Sequence, residues 1–388
     1  MVTNLPPESK EKWAQYSKAY TIEEKLVALK EFYSSIPKHK GTSKLRADVR
    51  RKISILKRQI DEKKTRRGGK GRSWFVEKQG AAQIVLLGLT NSGKSTLLSR
   101  ITNAKPIVSS VPHLTMEPRV GVYLYTDISF QIIDTPSIQV GAARGVGLGP
   151  QILGLARNAD GIIIVLDLSI DAVEQLDVIC RELEEFGIQI VPSEAQIEFT
   201  GVSDDPQLKV SGKLLNCTEE DVKRLLNSYG IRAGLIKIGG GATLEQIEDA
   251  ILRNTVYRPT VIVANKLDAK NSSLNLERLT TKLKAELEIL PFSCVQDGSL
   301  DQLGKSLVSV LDIVRVYTKN PNSSTPSSIP ITVKKGTKVV QVARMIHSRL
   351  SRDFKYARIW GRSAKYDGQR VGENHTLLDG DTLEIHCK

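Results

Sequence analysis

The stretch Gly88-Leu-Thr-Asn-Ser-Gly93-Lys94-Ser95 stands between an apolar run, QIVLLG, and the helical pattern TLLSRI. Strand, glycine-rich turn, then helix is the context in which backbone N–H groups can converge on phosphate oxygens. Lys94 can reach the β- and γ-phosphates there, and the Ser95 hydroxyl can face Mg²⁺. A glycine-rich turn without a ligand is the rival reading, and the flanking pattern argues against it. A P-loop of this kind demands a mostly parallel sheet with helices on its faces. The runs VGVYLY, SFQIID, GIIIVLD and TVIVANK supply the remaining buried strands of such an α/β domain.

Two further constellations define the ligand. Asn265-Lys266-Leu-Asp268 ends the strand TVIVA. A carboxylate at Asp268 can accept from both N–H donors on guanine's Watson-Crick edge, a pair adenine lacks, so GTP is expected and an ATPase disfavoured. Ser293-Cys294 fits the loop that closes over the base. Asp134, in Asp134-Thr-Pro-Ser137, ends the strand FQIID and is placed to hold Mg²⁺, the alternative being a surface acid at a strand end. Thr115 lies between the P-loop and Asp134, where a first switch supplies a hydroxyl to Mg²⁺, although a solvated loop threonine is common. The expected phosphate-binding set is Gly88, Asn91, Ser92, Gly93, Lys94, Ser95 and Thr96, with Asn265, Lys266, Asp268, Ser293 and Cys294 around the base. Lys94, Thr115 and Asp134 are the catalytic candidates.

At 388 residues the chain has room for two or three domains. Its net charge of +13 comes almost wholly from residues 36–72, where fifteen Lys and Arg face three acids. A helix is predicted from Thr21, whose hydroxyl pairs with Glu24 in a capping box, with Ile22, Leu26, Leu29 and Tyr33 as its apolar stripe. A basic helix over Leu45–Ile60 would make a hairpin with it, followed by the linker KKTRRGGKGR. Between Asp167 and Asn265 the gap is too long for one crossover, and an α+β insertion of about seventy residues is expected. Its helices start at Thr218 and Thr243. After a helix ending near Val316, the linker NPNSSTPSS leads to a strand-rich tail.

These residues together resemble an Obg-type GTPase of the developmentally regulated GTP-binding (DRG) family over almost the whole chain. Gly141-Ala-Ala-Arg-Gly145-Val-Gly147-Leu-Gly149 resembles the glycine-rich second switch. VRVYTK, FKYARIWG and VGENHTLLDGD resemble the C-terminal TGS domain, a ubiquitin-like β-grasp module. IPKHKGTSKLRADVRRKISILKRQI resembles the basic N-terminus. The insertion sits where the family carries a subdomain similar to the second domain of ribosomal protein S5. The resemblance implies a basic helical region over 1–80, a GTPase domain over 81–318 interrupted by the insertion at 188–257, and a TGS domain over 319–388. It also implies a GTPase acting around ribosomes or RNA.

Some positions depart from the family pattern. Ser137 replaces the glycine of DxPG, Val140 a glutamate, and Leu114 one threonine of the first switch. These changes bear on how nucleotide state is coupled to shape. Ile138 stands where many small GTPases keep a water-orienting glutamine, so slow intrinsic hydrolysis is expected unless a cation or a regulatory protein partner assists. Asn91 matches the asparagine that holds K⁺ in GTPases of similar pattern, or simply suits a tight loop. A GTP-responsive RNA- or ribosome-binding scaffold with negligible turnover is the alternative function. The charge excess of the basic region favours rRNA or tRNA phosphates over mere solvation. Phe354, Tyr356 and Trp360 alternate along one strand and can stack bases, with core packing the preferred use. His113 and His375 have no ligand partners at metal spacing.

Cys180, Cys217, Cys294 and Cys387 show no CxxC pairing, which fits free thiols in a reducing compartment. The polar N-terminus and the lack of a long apolar run lead to an expected cytoplasmic location, with no membrane partner.

Overall fold

The computed structural model describes residues 6–19, 21–37, 42, 45–46, 48–50, 52–54, 56–57, 74–102, 118–191, 196–200, 208–229, 231, 233–253, 255–284, 286–294, 300–321 and 325–387. The chain divides into two compact units, one of residues 1–72 with 192–257 and the other of 73–191 with 258–388.

The larger unit is built on a six-stranded sheet. Its spatial order is Glu288–Pro291, Thr260–Asn265, Gly161–Asp167, Ala82–Leu87, Ile128–Asp134, Arg119–Tyr125. Every pairing is parallel except that of the edge strand Arg119–Tyr125 with Ile128–Asp134. All seven residues of Gly161–Asp167 are buried, because helices cover both faces. Side chains alternate across the sheet. Val85, Leu87, Ile162 and Ile164 pack with Ile152, Leu176, Ile179 and Leu279 of the helices Gly149–Asn158, Ala172–Phe186 and Ser272–Leu283. Ile84, Leu86, Ile163 and Val165 meet Leu97, Leu98, Leu303 and Leu307 of Lys94–Ile101 and Leu300–Val310 on the other face. The result is the expected doubly covered α/β sheet, with the P-loop, Asp134 and Asn265 all at the carboxyl ends of its strands.

A second sheet closes the chain, in the order Ile331–Lys334, Ile313–Thr318, Asp381–Cys387, Phe354–Trp360, Gln369–Val371. Val339, Val342 and Ala343 of the helix Val339–Ile346 bury against Val316, Ala357, Ile359 and Leu383. This corrects the expected boundary. The preceding helix stops at Val310, Asp312 turns the chain with a left-handed φ of 52°, and IVRVYT is a strand inside the module. Its alternating β-branched residues outweigh helical continuation, so the Pro/Ser/Asn stretch falls between two paired strands of the module rather than ahead of it.

The aromatic candidates on Phe354–Trp360 are already engaged within this sheet. The Tyr356 ring stacks on His386 at 4.5 Å, with the Arg370 guanidinium 3.9 Å from its centroid. Lys319 Nζ lies 4.4 Å over Trp360, which also faces Gly368.

In the smaller unit, strands Gln196–Thr200, Gly234–Ala242 and Leu208–Leu214 form a sheet in that order. The last of these, with its charges and Gly212, carries no strand signal in the sequence. Thr21 and Thr218 cap their helices through capping boxes, and Thr243 exchanges the same pair of bonds with Gln246. A helix absent from the sequence reading, Pro7–Lys18, supplies the partner of Ile22–Ser35: Ser9 Oγ donates to the Ser35 carbonyl at 2.7 Å and Trp13 meets Phe32. On Ile22–Ser35 the expected Leu29 is fully buried, with Leu26 and Tyr33 partly buried against the same core, and Lys25 and Phe32 are buried beside them. The described residues between 45 and 57 are helical, and Val49 and Leu56 share one core with Val222, Leu226 and Ile236 of the insertion.

That core holds a charge. Glu248 accepts from Tyr16 (2.9 Å), Tyr229 (2.8 Å) and Lys25 (3.2 Å), and pairs with Lys52 at 3.5 Å. Burial pushes its carboxyl up, but Lys52, Lys25 and the two phenols outweigh burial and leave it below the ordinary range. Lys25 was hidden from periodicity because a lysine normally marks the solvent side.

Candidate nucleotide site

The P-loop is locked by its own chemistry. Gly93 enters the helix with φ 94°, and a Cβ there would lie 2.1 Å from Asn265 Nδ2. Asn91 is also left-handed, at φ 62°, which an asparagine tolerates and which suits the tight-loop reading of that residue. Lys94 is buried, and its ammonium donates to the Gly88 carbonyl (3.1 Å), the Leu89 carbonyl (3.0 Å) and Ser137 Oγ (3.2 Å). Burial lowers its pKa to about 8, with Asp134 pulling the other way.

Ser95 Oγ donates to Asp134 Oδ2 at 2.5 Å, so the expected hydroxyl and acid are brought together. Asp134 is fully buried, and burial raises its pKa against the opposing effects of Ser95, Lys94 and Arg119. Asp134 Oδ1 and Ser92 Oγ are buried without a hydrogen-bond partner. A buried carboxylate oxygen beside a serine hydroxyl is a hard-oxygen donor set that fits Mg²⁺. Thr96 follows Ser95 in the first turn of the helix. Thr115 falls outside the described residues, as do Leu114 and His113.

The base side is held by Asn265. Its Nδ2 donates to the Ser92 carbonyl at 2.9 Å, and its Oδ1 accepts from Cys294 N at 3.3 Å. Asp268 Oδ1 accepts from Ser293 Oγ at 2.5 Å. The two loops picked out in the sequence therefore meet. Burial pushes the Cys294 thiol up to about 11, which makes it a packing residue rather than a nucleophile.

Three supporting residues escaped the sequence reading. Asp167 binds Lys266 Nζ at 2.5 Å and fixes the lysine of N-K-x-D, whose φ is 63°. Arg100 Nε donates to the Cys294 carbonyl at 2.9 Å. Glu182, buried on the helix Ala172–Phe186, accepts from Gly141 N (2.7 Å) and Ala143 N (2.8 Å), pinning the glycine-rich segment. An acid within an amphipathic helix pattern carries no signal of such a role. Ile138 is 2% exposed and packs in the core with Val85, Leu87 and Leu153. His375 Nε2 pairs with Ser363 Oγ at 3.0 Å, and no acid, histidine or cysteine cluster suited to a metal occurs among the described residues. All four cysteines are free thiols, and no described helix is long and apolar enough to cross a membrane.

A P-loop, a buried acid on the neighbouring strand and an asparagine that ties N-K-x-D back to the P-loop define a P-loop GTPase, here followed by a β-grasp domain. Comparison with known proteins agrees. The family model described as 50S ribosome-binding GTPase matches residues 83–197, a C-terminal region of that domain matches 207–313, and the TGS domain matches 314–387. The chain is 32% identical to an uncharacterized GTP-binding protein of Methanocaldococcus jannaschii, covering 95% of this chain and 93% of the relative. It is 31% identical to human developmentally-regulated GTP-binding protein 2, covering 94% and 99%. The chain belongs to the developmentally regulated GTP-binding protein family, within the Obg-like GTPases. Among solved structures, the Schizosaccharomyces pombe YchF GTPase aligns over 81% of this chain and 100% of its own, with a TM-score of 0.47 and 13% identity.

Proposed function

We propose that this GTP-binding protein hydrolyses GTP to GDP and phosphate slowly on its own and acts while docked on ribosomal or other structured RNA. The observation that carries the catalytic half is the pairing of Ser95 with the buried Asp134, whose second oxygen is unsatisfied. These two residues, with Thr115, would hold Mg²⁺, which when bound supplies neutralising charge at the β- and γ-phosphates. The chain's own residues do the rest. Lys94 offers N–H groups to the same phosphates, Asn265 holds the P-loop and base loop in register, and Asp268 reads guanine. Asn91 is the candidate K⁺ ligand.

Burial of Ile138 supports the slow intrinsic rate, since its side chain lies in the core and is the wrong chemistry to orient water. The same observation favours the second reading, a GTP-responsive scaffold with negligible turnover. Docking is supported by the basic stretch and by the family match to 50S ribosome-binding GTPases. Lys25 and Lys52 are spent on Glu248, so the RNA footprint falls to exposed charges such as Arg50 and Lys57 together with the run 63–72.

The test is single-turnover GTP hydrolysis with and without ribosomes, combined with sedimentation across a salt series. Stimulation by ribosomes supports the enzyme. Unchanged, negligible turnover leaves the scaffold. Neutralising Arg50, Lys57 and the basic residues of 63–72 should flatten the salt dependence of binding. Deleting 1–72 is unsuitable, because it would strip Leu29, Phe32 and Leu56 from the core shared with the insertion.

A further inference from the structure

The Lys94 ammonium has three acceptors in hydrogen-bond range, matching its three N–H groups. Two are carbonyls of the P-loop itself, at Gly88 and Leu89. The third, Ser137 Oγ at 3.2 Å, comes from the segment after Asp134, in the position the family pattern gives to glycine. A lysine that serves the β-phosphate alone must release one of these partners, and one that serves both the β- and γ-phosphates must release two. The two carbonyls belong to one loop, so a lysine that keeps one of them stays seated on the P-loop, and the second release, required only by the γ-phosphate, falls on Ser137.

The backbone on either side of Ser137 is anchored. Thr135 Oγ1 donates to the Leu86 carbonyl at 2.8 Å, and Ile138 N donates to the Gly88 carbonyl at 3.1 Å while its side chain is buried. The hydroxyl is therefore delivered to Lys94 by a fixed main chain, and its release needs only a rotation about χ1. We propose that Ser137 is a positioning residue that competes with the γ-phosphate for Lys94, so that this chain discriminates against the triphosphate relative to the diphosphate. With GDP, Lys94 turns one N–H from a loop carbonyl to the β-phosphate and keeps Ser137. With GTP, the γ-phosphate takes the third N–H and the serine is displaced. The proposal rests on the reading of this P-loop as the GTP site.

The test compares affinities for GDP and for a non-hydrolysable GTP analogue, in Mg²⁺, for the unmodified full chain and for Ser137→Ala, Ser137→Gly and Ser137→Thr. Hydrogen bonds to charged groups are worth enough that the ratio of analogue affinity to GDP affinity should rise roughly tenfold or more in Ser137→Ala and Ser137→Gly. Ser137→Thr, which keeps the hydroxyl, should retain the original ratio. A ratio unchanged or lowered in both alanine and glycine variants overturns the proposal. So does a threonine variant that behaves like alanine while its thermal stability matches the unmodified protein. If the unmodified protein binds neither nucleotide, the assignment of the GTP site itself fails, a result distinct from an unchanged ratio.

Discussion

Asn265 Nδ2 donates to the Ser92 carbonyl across 173 residues of chain, at 2.9 Å. The same amide accepts from Cys294 N, so one side chain joins the phosphate loop to the base loop. Asn265→Ala removes both bonds and leaves two backbone groups to find water. At about 1 kcal/mol for each bond, GTP affinity should fall roughly thirtyfold. Titration calorimetry checks this, and a loss below twofold would mean the loops are held by packing alone.

Asp268 supplies base selectivity. The unmodified protein should bind GTP at least a hundredfold more tightly than ATP, because adenine leaves the carboxylate without its donor pair. Asp268→Asn should move the preference to xanthosine nucleotides. Equal affinity for ATP and GTP would refute the guanine assignment.

Lys94 sets a pH limit on binding. Its pKa of about 8 means the ammonium is present at neutral pH and lost as pH rises through that value. GTP affinity should hold below pH 7.5 and then fall, approaching about tenfold per unit above pH 8. An affinity flat to pH 9.5 would return Lys94 to the ordinary lysine range.

Arg315 bridges the two sheets of the larger unit. It donates to Asp379 at 2.7 Å and 3.0 Å and to Asp127 at 3.2 Å, while Tyr317 OH also donates to Asp127. Arg315 lowers the Asp379 carboxyl; for Asp127, burial pushes up but Tyr317, Thr126 and Arg315 outweigh it and the net shift is downward. Depressed carboxyls contribute stability that is complete above their unfolded pKa, about 4, and is lost as pH falls through the lower folded values. Asp127→Asn should cost about 1 to 3 kcal/mol at pH 7 and shrink the acid limb of the thermal stability profile. An identical acid limb in the variant would show that other carboxyls set it.

The monovalent cation is testable directly. If Asn91 helps hold K⁺ beside the phosphates, hydrolysis should be faster in K⁺ than in Na⁺ at equal ionic strength, since about 1.4 kcal/mol of transition-state stabilisation is tenfold in rate. Asn91→Ala should abolish the difference while sparing GDP binding. Equal single-turnover rates in both salts would leave Asn91 as a loop residue, the role its left-handed φ already explains.

The P-loop, N-K-x-D, the acid that ends FQIID and the strands QIVLLG, VGVYLY, SFQIID, GIIIVLD and TVIVANK were legible along the chain, because each depends on a short contiguous pattern: apolar runs, glycines at fixed offsets, a capping hydroxyl. What the tertiary structure alone decided are choices made between distant segments. IVRVYT became a strand because it found partners at Ile331–Lys334 and Asp381–Cys387. The polar helix Pro7–Lys18, nearly featureless as a pattern, exists because Trp13 and Tyr16 have Phe32 and Glu248 to meet. Lys25 points inward because a carboxylate lies 223 residues away to receive it. Asp167 and Glu182 act on the site through neighbours that only folding supplies. Local patterns encode which elements form; the energy of a buried charge or an added strand depends on what stands opposite, and that is a property of the assembled core.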